Sequence, residues 1–573
     1  MKILTQCMPY LKSFKIMLII LISLALLIVA VGIYAPYIIG NFLDNLIKGS
    51  TIQDVIRFCV LFGSLSLIKI IIGYISTVIQ TKVQLQMSYK LNMDIIKHIQ
   101  SLSLSYCKKI DSAYLVKRLE TDSATVISFC ISMLRSIITN AFLLIVPFII
   151  LMTMNHITTV IMTSFMILYI GLYLLFKKHL YRVNLSFREK YDLFFSKLHE
   201  QLKYVKIIKL NSNQRELNNR VDDGFKQYKA ITINNTKINY LYTGADDIVS
   251  SIAQIALFII GGTQILVGSF TIGMFTIYAS YFNMMLSASK YFFSLGAYYQ
   301  SALVTYDRID EIQNQIVESN GDIYIDDVSK ISLRALNFQH KPGSLCNYYN
   351  SENYVEDGKE QKNKNLNKKS LEFIEEKSIL KNLNHEFQKG NIYAITGANG
   401  IGKSTLMELI TGQYIDEYHG FIEYDGIDIR NINMIEVRKK LFGISEQEPL
   451  LFSGDIGLNL QIGEHLEFSN ECIKEKIKAL NMDEFYNTRV EGYDKELDCD
   501  NISGGEKQKI AILRVLIKNP AVMVFDEPTS ALDDDTAKNF IAHLIQIKRD
   551  KIIFIITHDE LIKMKSDIVV NLY

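Results

Sequence analysis

A chain of 573 residues, 49% of them hydrophobic, is long enough for more than one domain. Its 61 Lys+Arg against 60 Asp+Glu leave a net charge of +1, which gives no sign of a nucleic-acid or other polyanionic partner. Seven cysteines without a C-x-x-C pair read as scattered thiols rather than a disulfide framework or metal site. Ile, Lys and Asn are abundant and Trp is absent, which points to an AT-rich, bacterial genome.

The apolar residues are segregated into the N-terminal half. Six stretches, 16–39, 55–79, 127–152, 157–175, 248–267 and 272–295, approach or exceed the ~20 residues needed to span a hydrocarbon core of ~30 Å. The first is too long for the apolar region of a secretory signal, and no small-residue cleavage site follows it. Lys and Arg crowd the segment before the first stretch and the two long loops at 80–126 and 176–247, whereas the short connections at 40–54, 153–156 and 268–271 carry only Lys48. The positive-inside rule therefore places both termini and both long loops in the cytoplasm. Within the long loops, 85–102 and 191–209 space their apolar residues like helices, so the spans are expected to continue into the cytosol. Lys69, Arg135 and Lys290 fall inside predicted spans, where a charge either faces the bundle interior or a wet cavity, or snorkels to the surface.

A polar helical segment at 301–321 leaves the membrane part. A second domain begins near Ile331, with a strand pattern over 331–338. Residues 344–377 are dominated by Asn, Lys, Glu, Ser and Tyr, cannot bury a core, and read as a flexible insertion. Alternating strand and helix patterns after it imply an α/β domain with a largely parallel sheet. The expected division is a transmembrane domain over 1–310, a linker over 311–330 and an α/β domain over 331–573.

The chemistry is concentrated in this second domain. The run Gly397-Ala398-Asn399-Gly400-Ile401-Gly402-Lys403-Ser404 follows an apolar strand and precedes a helical pattern beginning at Thr405. In that context G-x-x-x-x-G-K-S is a phosphate cradle: its glycines let backbone N–H groups converge on a phosphate at a helix N-terminus. Lys403 would reach the β- and γ-phosphates and the Ser404 hydroxyl a Mg²⁺ ion. An apolar strand at 521–525 ends in Asp526 and Glu527. Asp526 is placed to hold Mg²⁺ through water and Glu527 to take a proton from an attacking water, unless the pair merely caps the turn at Pro528. Ser503-Gly504-Gly505-Glu506 opens another helical run and is a second anion-binding helix start. One fold needs only one phosphate loop, so this second site suggests a nucleotide supplied by another subunit. His558 ends a further apolar strand at 552–557.

This ordered set resembles the ATP-binding cassette, and almost the whole chain resembles a half-size exporter of that superfamily. The resemblance makes 397–404 the Walker A loop and Asp526-Glu527 the end of Walker B. It makes Ser503-Gly504-Gly505-Glu506 the signature, in which Glu506 stands where Gln is usual. It implies that Gln447 contacts Mg²⁺ and the attacking water, that Asp533 belongs to the D-loop, and that His558 is the switch histidine. His340 sits where an adenine-stacking Tyr is common. In the membrane half, 115–122 and 200–209 resemble the two intracellular loops, and coupling contacts are placed near 115–122 and 207–214. The 495–501 segment before the signature is shorter than usual and lacks the expected glycine.

The fold class so implied is a six-helix, all-α transmembrane domain of the type I exporter kind, followed by an α/β P-loop NTPase domain. The function implied is ATP-driven export by alternating access. Its cofactors are ATP and Mg²⁺, and its partners are a second copy of the chain or a homologous half-transporter, a lipid bilayer and a transported substrate, with no nucleic acid. The location expected is a bacterial cell membrane crossed several times. Peptide, lipid and drug substrates stay open, with no leader-peptide cleavage expected because no peptidase domain precedes the first span. An ATP-gated channel or regulator that does not pump is the alternative, and an importer is disfavoured by the fused halves and long inner loops.

Overall fold

The computed structural model describes residues 2–108, 115–116, 118–211, 214–339, 379–453, 459–460, 470–480, 482, 502–530 and 532–573. His340, the 344–377 insertion and the 495–501 segment lie outside the described residues. The chain divides into two units: residues 1–97 with 112–314, and residues 98–111 with 315–573.

The first unit is helical. Long helices run over Lys15–Ile47, Ile52–Gln100, Ser123–Met154, His156–Lys203, Gln214–Leu266 and Ile272–Gln313. Each predicted span lies inside one of them, except that 248–267 runs one residue past Leu266. Among the described residues, four helices are long and apolar enough to cross a membrane by length and composition, those beginning at Lys15, Ile52, Leu119 and Gln214. The helix from Ile52 buries none of its most apolar stretch in the protein, and Val60, Leu67, Ile70 and Tyr74 stand exposed on it. Such a surface suits the hydrocarbon core of a membrane. Helix 15–47 meets helix 272–313 through glycines: a Cβ on Gly273 would collide with the carbonyl of Gly40. Asp44 holds the start of the second helix, accepting from the Thr271 hydroxyl at 2.6 Å and from Gly273 N–H at 2.7 Å. Arg135 donates to the Gln80 side chain, Lys290 lies 3.8 Å from Asp247, and Lys69 is exposed on its helix.

The second unit holds two sheets. Strands β1 (Lys330–Phe338), β2 (Leu380–Gln388), β4 (Tyr418–Tyr424) and β5 (Ile427–Asp428) form an antiparallel sheet in the order β2-β1-β4-β5. Strands β3 (Ile392–Thr396), β6 (Phe442–Ser445), β7 (Val522–Asp526), β8 (Ile552–Ile556) and β9 (Ile568–Asn571) form a parallel sheet in the order β6-β7-β8-β3-β9. Its central strands read as unbroken apolar runs because both faces are covered. One core joins the antiparallel sheet to it through Tyr393, Ile395, Val524 and Phe554. The other packs helices Gly504–Lys518 and Asp534–Ile547 against Met523, Phe525, Ile553 and Ile555.

The segment expected as a linker over 311–330 divides. Its first residues end the helix at Gln313, and the chain from Gln315 packs with the α/β unit. Gly321 N–H donates to Ile432 O and Ile323 N–H to Asn431 O, each at 3.0 Å. In the first long loop, residues 118–122 belong to the helical unit, and residues 98–108 pack with the α/β unit. Leu102 pairs with Val317, Glu318 N–H donates to Ser101 O at 2.9 Å, and Lys108 pairs with Glu408 and donates to the Tyr414 hydroxyl at 3.3 Å.

Candidate active site

Strands β3, β7 and β8 are neighbours in the parallel sheet, and each delivers its functional residues from its C-terminal end. After β3 the chain turns through Gly397, Gly400 and Gly402, all at positive φ, into the helix Lys403–Ile410. Two of these positions admit only glycine. A Cβ on Gly397 would lie 2.8 Å from Leu572 O, and one on Gly402, at φ 104°, would overlap Ile379. Ala398, Asn399, Gly400 and Ser404 are exposed, whereas Lys403 is buried. Thr405 is half-buried in the first turn of the helix.

The Lys403 ammonium donates to Gly397 O at 2.8 Å and to Ala398 O at 3.4 Å, and lies 2.9 Å from His558 Nε2. As an ammonium only donates, the His558 nitrogen facing it accepts. The Ser404 hydroxyl donates to Asp526 Oδ2 at 2.7 Å. Burial, with the charge of Glu527 beside it, pushes the Asp526 carboxyl up, against the bond from Ser404. Gln447, two residues beyond β6, donates from Nε2 to Glu527 Oε2 at 3.0 Å, while Glu527 Oε1 lies 4.0 Å from His558 Nε2. Four separate stretches of sequence thus converge on one rim of the sheet. Glu527 itself has φ 46°, an uncommon conformation for a non-glycine residue.

That conformation is braced by a residue the sequence argument missed. Glu527 N–H donates to Ile556 O at 2.9 Å, and its carbonyl accepts from Gln508 Nε2 at 2.8 Å and from the Ser530 hydroxyl at 3.0 Å. Gln508 is buried on helix 504–518. Its signal was available: it occupies the stripe continued by Ala511, Ile512 and Val515, where an apolar residue belongs.

The remaining predicted residues stand at two helix starts. Ser503 caps helix 504–518 in a reciprocal box: its Oγ accepts from Glu506 N–H at 3.3 Å, and the Glu506 carboxylate takes the Ser503 N–H. Gly504 and Gly505 form the first turn of that helix. Asp533 caps helix 534–547 through Thr536 N–H at 2.9 Å and the Thr536 hydroxyl at 2.8 Å. The backbone bond from Thr536, then its hydroxyl, hold the Asp533 carboxyl down at about 2.

Chemically, a lysine and a glycine loop at a helix start can take an anion, and a hydroxyl beside a half-buried carboxylate can take a hard cation. A carboxylate one residue further can accept a proton from water. Comparison with known proteins agrees with that chemistry. Residues 18–289 match the family model of the ABC transporter transmembrane region, and residues 380–530 that of the ABC transporter domain. An ABC transporter ATP-binding protein of Streptococcus pneumoniae is 21% identical over 563 residues, 97% of this chain and 90% of that protein. The lactococcin-G-processing and transport ATP-binding protein of Lactococcus lactis is 24% identical over 555 residues, 95% of this chain and 73% of its own length. Some curated relatives are far longer, and the chain spans as little as 13% of them. Among solved structures, a bacterial Atm1-family ABC exporter with ATP bound superposes with a TM-score of 0.79 at 17% identity, covering 98% of this chain and 94% of that one.

Proposed function

Because the chain belongs to the ABC transporter family, with its membrane region and ATP-binding domain fused in one polypeptide, we propose that it is one half of an exporter in a bacterial cell membrane. Two identical copies, related by C₂ symmetry, would sandwich two ATP molecules. Each ATP would lie between one copy's phosphate loop and the other's Ser503-Gly504-Gly505-Glu506 segment. The observation that carries this reading is the convergence of Lys403, Ser404, Gln447, Asp526, Glu527 and His558 on one rim of the sheet.

In this mechanism Lys403 exchanges its bonds to Gly397 O, Ala398 O and His558 for the β- and γ-phosphates. Glu527, oriented by Gln447, accepts a proton from the water that attacks the γ-phosphate. The 2.7 Å approach of the Ser404 hydroxyl to the half-buried Asp526 carboxylate fits Mg²⁺, which Ser404, Asp526 and Gln447 would hold. When bound, the ion neutralises charge on the phosphates. Closing the sandwich turns the six membrane helices outward, and hydrolysis resets them. Both termini are cytoplasmic, and the cargo is a peptide, lipid or hydrophobic drug.

A mixing experiment tests the arrangement. Lys403→Ala chains alone and Ser503→Arg chains alone have two broken sites per dimer, whereas the mixed dimer retains one intact site. Vanadate-dependent nucleotide trapping is expected only in the mixture. Its absence from verified mixed dimers, when wild-type chains trap nucleotide, would overturn the trans-completed site. ATP-dependent uptake of labelled compounds into inverted vesicles separates pumping from mere gating.

A further inference from the structure

The start of helix 504–518 is already occupied by an anion, and that anion belongs to the chain. The Glu506 Oε2 atom accepts from both the Ser503 backbone N–H and the Ser503 hydroxyl, each at 2.8 Å. These two groups are donors this segment can offer a phosphate, beside the backbone N–H groups of Gly504 and Gly505 and the dipole end of a 15-residue helix. Ser503 and Gly504 are exposed, so a ligand can reach them. A carboxylate and a γ-phosphate are both acceptor-only anions, and a hydroxyl has a single hydrogen to give. They cannot hold the Ser503 hydroxyl at once, and in close quarters they repel.

We infer that the Glu506 carboxylate is a built-in competitor for the γ-phosphate at the Ser503 site, setting a higher ATP concentration for closure of the sandwich than an uncharged residue would. This rests on the reading that Ser503 of one copy meets the ATP of the other. Glu506 acts through Ser503 and is therefore a positioning residue. Glutamine at 506 keeps the length and the acceptor needed for the reciprocal cap but removes the negative charge. Because the competition is with the γ-phosphate alone, the affinity for MgADP is not under Glu506 control.

The test uses the full-length protein in lipid nanodiscs, with ATPase rates measured across ATP concentration. For Glu506→Gln the KM for ATP is expected to fall at least fivefold, by a larger factor than kcat changes, with the MgADP dissociation constant within twofold of wild type. Ser503→Arg, measured beside it, is expected to abolish turnover. If Ser503→Arg is inactive but Glu506→Gln keeps the wild-type KM, the carboxylate is only a helix cap and the inference is overturned while the trans site survives. A shift of MgADP affinity equal to that of KM would also overturn it, since the effect would then not act through the γ-phosphate. If Ser503→Arg turns over normally, the trans site fails and the inference fails with it.

Discussion

At the scale of single residues, Glu527 has the most to lose. It is held in a strained conformation by bonds to both its N–H and its carbonyl, and its carboxylate lies between Gln447 and His558. Glu527→Gln is expected to keep ATP binding and to slow hydrolysis by about 10²- to 10⁴-fold, the range for loss of a general base. Steady-state turnover of the purified variant decides it, and near-normal turnover would remove Glu527 from that role. In the sequence, Asp526 and Glu527 were candidates from their place at the end of an apolar strand near a phosphate loop, whereas the roles of Gln447 and His558 came from the family resemblance. Their mutual bonds were not legible there. Gln447 and Glu527 are 80 positions apart and Lys403 and His558 are 155 apart, so only the strand order places them together.

Elements show a similar division. The apolar runs of β3, β7 and β8 announced a buried parallel sheet, and its ends came out within a residue or two. The helix opened by Ser503-Gly504-Gly505-Glu506 begins at Gly504, because the Ser503–Glu506 box caps it there. Asp533 makes the same kind of start for helix 534–547. Its carboxyl is depressed below the ordinary 3.8, so the stabilisation it gives is complete above that value and is lost as the pH falls toward about 2. Asp533→Ala at neutral pH is expected to weaken that helix start by about 1 kcal/mol. Faster amide exchange at Thr536 and Ala537 would register it, and unchanged exchange would refute it. Gly321 escaped notice in the sequence because nothing local marks it. A Cβ there would collide with the backbone of Asn431 and Ile432, which cannot rotate away. Gly321→Ala is expected to loosen the 315–323 segment from the α/β unit at a cost of about 1–3 kcal/mol, read as proteolysis at lower urea. A variant as resistant as wild type would show that the backbone yields.

For the whole molecule, composition separated an apolar half from an α/β half; the chain clusters into a helical unit and an α/β unit, and residues 98–108 go with the latter. Hydropathy could not reveal that residues 98–108 leave the helical unit, since a Leu102–Val317 bridge spans a gap no local pattern encodes. The 344–377 insertion shows the opposite case. Its flanks are neighbours: Phe338 of β1 pairs with Leu380 of β2, and Ile379 N–H donates to Phe338 O at 3.0 Å. A short Gly/Ser turn can therefore close the hairpin without moving either strand. Replacing 344–377 in this way is expected to preserve basal ATPase activity within about twofold, because loop length carries only a logarithmic entropy cost. Loss of nucleotide binding in the shortened chain would reveal a structural role for the segment.

The placement of residues 98–108 with the α/β unit has a consequence in time. Their partners in the α/β unit begin at Gln315, some two hundred residues later, which is roughly 10–40 s of synthesis at about 5–20 residues per second. Through that interval Leu102 has no Val317 to pair with, and Lys108 has neither Glu408 nor Tyr414. The nascent chain must therefore carry an unfinished joint while later helices are still being made. Among the described residues, the last strand of the parallel sheet in chain order is β9, Ile568–Asn571. A ribosome that stalls in between leaves the loop waiting for a domain that never arrives, a state in which proteolysis can separate finished chains from abandoned ones.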